Sequence, residues 1–467
     1  MTEKNNLYTL DITAVTTEGD GIARTESGKV VFTPRLCKGD RAVIKIIKET
    51  SGYLVGRTEE IVSPSPDRVE PDCPVYKQCG GCTLRHMNYE AEKRLKYDHV
   101  CDCLARIGKC NVIPEYIVSP VQERYRNKAQ YPVTLKDGKM AVGYFARHSH
   151  RVVPHEDCLL QPKETTEIIK DLLPLLDGFS VYDSESGKGL LRHLYLRRTR
   201  DGKYCVMPVI NGADTSPFIH VAENLAGLHP EVESFYVNIN TENTNVILGK
   251  KCVLIKGKEY LTDYLCGKKF LVSPLSFWQV NPDAAEKLLY KAREYASLKK
   301  GDVVCDLYCG TGTVGICCSD TDARLFGIEI IPQAVEDAFR NAQANGYKAG
   351  SFRFVCADSE KGIEECKKTF GAPDVVFTDP PRKGMTEKVI CDIVSSGASR
   401  VVYISCNPAT LARDIKIFAE KGYDVTNAAV FDLFPGTGHV ESVVLLSREK
   451  ADDYTRISIH TKDLKQV

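Results

Sequence analysis

The sequence predicts an α/β protein of several domains, with a doubly wound C-terminal domain behind a small β-barrel and a β-rich centre. Three observations carry this. The chain has 467 residues, too many for one hydrophobic core. Residues 6–62 break into short extended runs punctuated by Gly-Asp turns. From Ser276 onward, short apolar strands alternate with amphipathic helices, the pattern of a parallel sheet covered on both faces.

In order along the chain, LYTLDITAVT, KVVFTP, AVIKIIKE and YLVGRTEEIV read as strands, with turns at Gly19-Asp20-Gly21 and Gly39-Asp40. Several short strands at this spacing fit a barrel, as they would fit any small β-domain. The segment 63–72, SPSPDRVEPD, reads as a Pro-rich linker. AEKRLKYDHVCDCLARIG has helical spacing, with Leu95, Val100 and Leu104 near one face. Between 122 and 271 strand-like runs dominate (KAQYPVTL, KMAVGYFA, GLLRHLYLRRT, KYCVMPVI, SFYVNIN, NVILG, KKFLVSP), with a helix near 163–177. DAAEKLLYKAREYA is helical, and VVCDLYC, LFGIEII, FRFVCAD, DVVFTDPP, RVVYISCN and SVVLLS are strands with helices between them. The expected division is therefore 1–62, 63–275, 276–449 and a polar tail at 450–467.

The chain is 43% hydrophobic and 27% charged, with zero formal charge, the composition of an ordinary globular protein. No run of 18 apolar residues suggests a membrane span, and MTEKNNLYTL has no signal-peptide core. The 19 cysteines then fit reduced thiols or metal ligands in the cytoplasm better than a disulfide framework. Neutral charge overall hides local excess. Residues 85–155 hold 13 Lys and Arg against 7 Asp and Glu, and LRHLYLRRTR at 191–200 holds four arginines. Arginines of 124–151 and 192–200 are thus expected to grip a nucleic-acid backbone.

In open α/β sheets, ligands sit beyond the carboxyl ends of the strands. Here those ends carry DLYCGTGTVG, Glu329 of GIEI, Asp358 of VCADS and Asp379 of FTDPPRKG. The Gly-rich turn has neither the dinucleotide fingerprint nor a phosphate loop's Gly-Lys-Ser/Thr. A strand-end acid can accept both hydroxyls of a ribose, so the set suits an adenosyl cofactor without phosphates, such as S-adenosylmethionine. VVYISCNPAT at 401–410 then puts Cys406 where an apolar strand stops, and a thiolate there is placed to attack a bound ligand. Glu441 enters a final apolar strand, which is costly unless it is needed or paired. His439 reads as an orienting or structural neighbour.

DPPRKG, a gap of 16 residues and VVYISCNPAT together resemble the signature of S-adenosylmethionine-dependent RNA uridine-5 methyltransferases. FDLFPGTGHVE resembles their second signature, with Gly436 where the family usually has His or Gln. The resemblance covers most of the chain. It implies a Rossmann-like methyltransferase domain behind a TRAM-type, OB-like RNA-binding barrel. It makes Cys406 the nucleophile and Glu441 the base. It places cofactor contacts at Gln279, Tyr308, Thr313, Glu329 and Asp379, Phe277 near the target base and Arg126 near substrate RNA. The chemistry explains the pairing. Carbon 5 of uracil is too electron-poor to take a methyl group until a thiolate adds at carbon 6, and a base must later remove the carbon 5 proton.

Cys73, Cys79 and Cys82 of CPVYKQCGGC, with Cys158 as the best fourth donor, form a set suited to zinc or an iron–sulfur cluster. The resemblance implies a structural [4Fe–4S] cluster and 23S ribosomal RNA as substrate. A transfer-RNA uridine methyltransferase is the nearer alternative. A non-catalytic ribosome assembly factor is the further one, against which the intact Cys406, Glu441, Asp379 and Glu329 argue.

Overall fold

The structure, a computed structural model, describes residues 3–448; the polar tail expected at 450–467 lies outside the described residues. Strands β1 (Leu7–Asp11), β2 (Ala14–Val15), β3 (Asp20–Arg24), β4 (Val30–Pro34), β5 (Arg41–Glu49) and β6 (Tyr53–Ser63) form one sheet in the order β1-β5-β6-β4-β3-β2. Alternation turns Ala42, Ile44 and Ile46 inward onto Leu10, Val31 and Leu54. The Pro-rich segment behind this sheet is fastened to it. Buried Asp40 accepts hydrogen bonds from the Ser65 N–H (2.8 Å), the Cys37 N–H (2.6 Å) and Arg68 Nε (3.0 Å).

Helix α1 (Tyr89–Arg106) starts where Asn88 Oδ1 caps the Ala91 N–H at 2.9 Å, and β7 (Glu115–Ile117) follows. A second sheet contains β8 (Lys128–Lys136), β9 (Lys139–Phe145), β10 (Val152–Pro154), β11 (Leu191–Arg198), β12 (Tyr204–Ile210), β13 (Val232–Ile239) and β14 (Lys251–Gly257). Its order is β10-β9-β8-β11-β12-β13-β14. The expected helix is α2 (Lys163–Leu175); α3 (Phe218–Leu228) was not foreseen. It is required, because β12 and β13 pair in parallel and a parallel pair needs a crossover. NVILG, expected as a strand, is loop. Asn240 Nδ2 donates to the Val246 and Ile247 carbonyls (2.8 and 2.9 Å) and Asn238 Nδ2 to that of Gly249 (2.8 Å), so side chains satisfy this backbone instead of a ladder.

A hairpin of β15 (Leu261–Leu265) and β16 (Lys268–Val272) leads into the C-terminal region. There α4 (Pro282–Ala296), β17 (Val303–Leu307), α5 (Thr313–Cys318), β18 (Arg324–Glu329), α6 (Pro332–Ala344) and β19 (Phe352–Cys356) are followed by α7 (Gly362–Phe370), β20 (Val375–Thr378) and α8 (Glu387–Ser396). The chain ends its described part with β21 (Arg400–Ser405), α9 (Pro408–Glu420), β22 (Asp424–Phe431) and β23 (Glu441–Ser447). The sheet order is β19-β18-β17-β20-β21-β23-β22-β7. Strands β17 to β21 are parallel, and β23 runs antiparallel to both its neighbours. Apolar cores on both faces, Leu288, Ala338 and Ala342 on one and Val389, Leu411 and Ile415 on the other, make it the doubly wound sheet expected. The edge strand β7 comes from the segment expected to lie in the central unit, so 115–117 completes the C-terminal sheet from outside it. Among the described residues, no helix is long and apolar enough to cross a membrane.

The barrel docks tightly on the loop before β23. A Cβ on Gly438 would stand 1.6 Å from the Thr17 carbonyl oxygen, and one on Gly19 2.3 Å from that of Thr83. Arg147 closes the contact with Asp20, Nη2 to Oδ2 at 2.9 Å. Gly438→Ala is therefore expected to push the two units apart and cost about 1–3 kcal/mol, read as a lower urea unfolding midpoint.

Candidate active site

The chain runs from β17 to one edge of the sheet and resumes at β20 on the other side of β17. That reversal opens a crevice at the carboxyl ends of the strands. A cleft of about 930 Å³ lies there, lined by Arg126, Phe277, Gln279, Tyr308, Glu329, Asp358, Asp379, Cys406 and Glu441. Of the cofactor and substrate residues expected from sequence, Thr313 alone is not in the lining. It begins α5 and its hydroxyl shares a 3.0 Å hydrogen bond with that of Thr311.

At the first strand end the backbone is forced into unusual conformations. Tyr308 and Gly310 both take positive φ (65° and 53°), which turns the chain sharply after β17. A non-glycine residue in that region costs about 1–3 kcal/mol and persists where surroundings hold it. Glu329 is the clamp. Its Oε2 accepts the Gly310 N–H at 3.1 Å and its Oε1 those of Ile330 and Ile331 at 2.8 and 3.0 Å. Asp358 caps the next turn, accepting the Glu360 N–H at 2.9 Å.

Carboxyl groups crowd the floor. Burial pushes Asp306 up to about 8 although Oδ2 accepts the Gly315 N–H at 2.8 Å, with Asp379 and Glu329 adding to the rise; Oδ1 is buried with no partner. Burial alone pushes Asp379 up to about 7. Asp306 opens the stretch DLYCGTGTVG. An acid inside the apolar strand VVCDL is costly to bury without a purpose.

Cys406 and Glu441 meet because of strand register. Ser405 ends β21 and pairs with Ser442 near the start of antiparallel β23, so the residue after one strand stands beside the residue that opens the other. Asn407 and Pro408 then begin α9, with Asn407 Oδ1 capping the Ala409 N–H at 3.1 Å. Burial raises the Glu441 carboxyl well above the carboxylate range, Asp379 adds to this and Arg382 opposes it. Burial also raises the Cys406 thiol, followed by Glu441 and Asp379, with Arg382 again opposing. Arg382 Nη2 faces His439 Nδ1 at 3.3 Å, and burial with Arg382 keeps that imidazole neutral to lower pH. Phe277 stands 67% exposed at the rim.

A second cavity, of about 230 Å³, is lined by Cys73, Cys79, Cys82 and Cys158 together with Arg126 and His155. Burial pushes Cys82 up to about 12 and Cys158 to about 11, and neighbouring thiols add to both rises. Cys79 Sγ accepts the Gly81 N–H at 3.3 Å, and both ring nitrogens of His155 are buried without partners. Among the described residues, no group of three or more His, Cys, Asp or Glu is arranged to hold a metal ion.

Of the four arginines of 191–200, expected to grip a backbone, Arg192 and Arg197 turn inward. Arg192 Nη1 donates to the carbonyls of Asn240 (2.7 Å) and Glu242 (2.8 Å), and Arg197 to those of Ser273 (3.0 Å) and Ser276 (2.6 Å), all in the interior. Arg200 is paired with Asp283 and Glu286. In the other basic stretch, Arg124 is held by Asp157 and Arg147 by Asp20. The charge of Arg124 and Arg147 is met within the protein, whereas Arg151 is exposed beside Gln78 and Arg126 lines both cavities.

Comparison with known proteins adds the following. A family described as tRNA (Uracil-5-)-methyltransferase matches residues 246–449, and the TRAM domain family matches residues 2–58. An "uncharacterized RNA methyltransferase" of Halalkalibacterium halodurans is 37% identical over 448 residues, 95% of this chain and 97% of the relative. One of Caldanaerobacter subterraneus subsp. tengcongensis is 38% identical over 446 residues, 94% and 98% of the two chains. The solved structure of Pyrococcus abyssi tRNA (uracil-54, C5)-methyltransferase with S-adenosyl-L-homocysteine superposes with a TM-score of 0.76 at 24% identity, covering 94% of this chain and 99% of that one. At that identity the likeness is one of fold.

Because the thiolate is the reactive form, alkylation of Cys406 is expected to rise with pH through a midpoint above about 8.5, the ordinary thiol value. Arg382→Ala is expected to move it higher. Peptide-resolved mass spectrometry after iodoacetamide pulses measures both; a midpoint at or below the ordinary value contradicts the electrostatics described.

Proposed function

The chain belongs to the TRAM-containing RNA (uracil-5-)-methyltransferase family and is an S-adenosylmethionine-dependent RNA methyltransferase, and on that premise we propose that it methylates carbon 5 of a uridine in 23S ribosomal RNA through a covalent bond to Cys406. The observation that carries the reading is the strand register that sets Cys406 beside Glu441 at the mouth of the cofactor cleft.

The donor set suits the cofactor. Asp379 and Glu441, both raised by burial, line a cleft that would welcome a cationic ligand, with Asp306 buried close behind. Glu329, held rigid by three N–H groups, two on Oε1 and one on Oε2, keeps one acceptor site on Oε2 for a ribose hydroxyl. Gln279, Tyr308, Asp358 and Asp379 are the other proposed contacts, with Thr313 supporting the glycine turn. When bound, S-adenosylmethionine supplies the methyl group.

This chain's residues do the rest. The target uridine leaves its stack, cheapest in a loop or single strand, and Phe277 offers a ring at the rim. Arg126 holds the RNA near the entrance. Cys406 gives up its proton to solvent water, and the thiolate sulfur adds to carbon 6, so that the electrons of the 5,6 double bond reach carbon 5 while Glu441 stays a carboxylate. After carbon 5 is methylated, Glu441 takes its proton, the ring electrons return to form the 5,6 double bond, and the sulfur leaves with its bonding pair. A carboxyl raised by burial is matched to this step, because its conjugate base is strong.

We read the four-cysteine cavity as the seat of a structural [4Fe–4S] cluster held by Cys73, Cys79, Cys82 and Cys158, tying 73–82 to 158. Support comes from four thiols sharing one cavity with the orphaned nitrogens of His155. A single zinc would need its donors to converge at about 2.3 Å, whereas a cluster takes one thiolate on each of several irons. Reduced thiols and an RNA substrate go with a cytoplasmic location. The second reading, a transfer-RNA substrate, is favoured by the family description and by the substrate of the Pyrococcus abyssi enzyme.

Methyl-labelled cofactor with separate ribosomal and transfer RNA tests the reading: label in 5-methyluridine of 23S RNA is expected, and label confined to transfer RNA would move the protein to the second reading. Cys406→Ala is expected to lower turnover by at least about 10⁴-fold, and Glu441→Gln to leave RNA attached to protein in denaturing gels. Anaerobically isolated protein is expected to hold about four iron and four sulfide per chain, lost in Cys158→Ala; metal-free or zinc-only protein overturns the cluster.

A further inference from the structure

Lys96 is a lysine in the interior. Its side chain is 1% exposed, and all three ammonium protons are spoken for: Glu92 Oε1 at 2.6 Å, Asp432 Oδ1 at 2.8 Å and the Phe434 carbonyl at 3.2 Å. In sequence the Glu92–Lys96 spacing reads as a surface i,i+4 pair on α1. The fold instead drives it under the loop that joins β22 to β23. That loop begins directly after Phe431, which pairs with Glu441, and ends at Glu441 itself.

Every contact of the cluster lands on this loop's backbone or on a residue that shapes it. Glu92 Oε1 also accepts the Gly436 N–H at 2.8 Å, and Asp432 Oδ1 that of Phe434 at 3.2 Å. The Phe434 carbonyl held by Lys96 also accepts the Thr437 hydroxyl at 2.8 Å, and Thr437 Oγ1 accepts the His439 N–H at 3.4 Å. Leu433 and Phe434 line the cleft. A buried ion cluster is seldom worth much net stability against an apolar replacement. Its return here is geometric, since it fixes the loop that aims Glu441 and His439.

We propose that Lys96 is a positioning residue for the removal of the carbon 5 proton, acting through the Asp432–Phe434 backbone. This rests on the functional reading above. If Lys96 served folding alone, its loss would lower stability and every activity together. If it sets the base, its loss spares cofactor binding and methyl transfer and stalls release of the covalent adduct.

The test is Lys96→Met in the full-length protein, with Lys96→Met/Glu92→Gln/Asp432→Asn as the variant that leaves no lone buried charge. Folding is checked by circular dichroism and thermal melting. S-adenosylhomocysteine affinity, by calorimetry, is expected to stay within about twofold, while turnover falls roughly 100-fold, the cost of an ångström-scale misplacement. Methyl-labelled protein–RNA adduct is expected to accumulate in denaturing gels, as with Glu441→Gln. A folded variant that turns over at the wild-type rate, loses rate without adduct, or loses cofactor affinity overturns the proposal, as does failure of both variants to fold. Wild-type protein that makes no 5-methyluridine on any RNA overturns the functional reading and this inference with it; active wild type with an adduct-free variant overturns this inference alone.

Discussion

The site depends on one pairing: Ser405 of β21 opposite Ser442 of antiparallel β23. In a wholly parallel sheet, carboxyl ends share one rim, and the start of a strand lies at the far side. Reversing a single strand brings an amino-terminal residue, Glu441, to the rim that already holds Cys406. A slip of one residue would turn Glu441 to the opposite face; Val443 is packed into the core on one face and Val444 and Leu446 into that on the other, which holds the register.

Electrostatics then set the working state. Burial raises Asp306, Asp379 and Glu441 above the ordinary carboxylate range, and Asp379 adds to the rise of the other two. Burial likewise raises Cys406, Glu441 and Asp379 add to it, and Arg382 is the guanidinium set against it. A cationic ligand in the cleft would relax these shifts, which links cofactor binding to the readiness of both the thiol and the acids.

Much of this was legible in the chain. Local periodicity revealed the alternating strands and helices after Ser276, and the ends of the apolar runs marked Glu329, Asp358, Asp379 and Cys406, which all line the one cleft. What stayed hidden depends on partners distant in sequence. Arg192 and Arg197 look like surface charge until the carbonyls that enclose them are known. NVILG has the composition of a strand, yet two asparagine side chains take its carbonyls. The helix α3 follows from the parallel pairing of β12 and β13, which no window of sequence displays. Lys96 and Glu92 announce a solvent pair and form an interior one.

The strand β7 has a bearing on biosynthesis. It leaves the ribosome long before β22, the neighbour it pairs with, has been made. Until then its rim has no mate, and when β22 and β23 emerge their outer edge waits for a segment already tied up behind the cysteine-bearing loop. Open edges of this kind invite association between nascent copies. The C-terminal sheet therefore reaches its final form only when the amino-terminal half folds back onto it, and a gene fragment beginning after residue 117 would encode a sheet bordered by the eight-residue β22 in place of the three-residue β7.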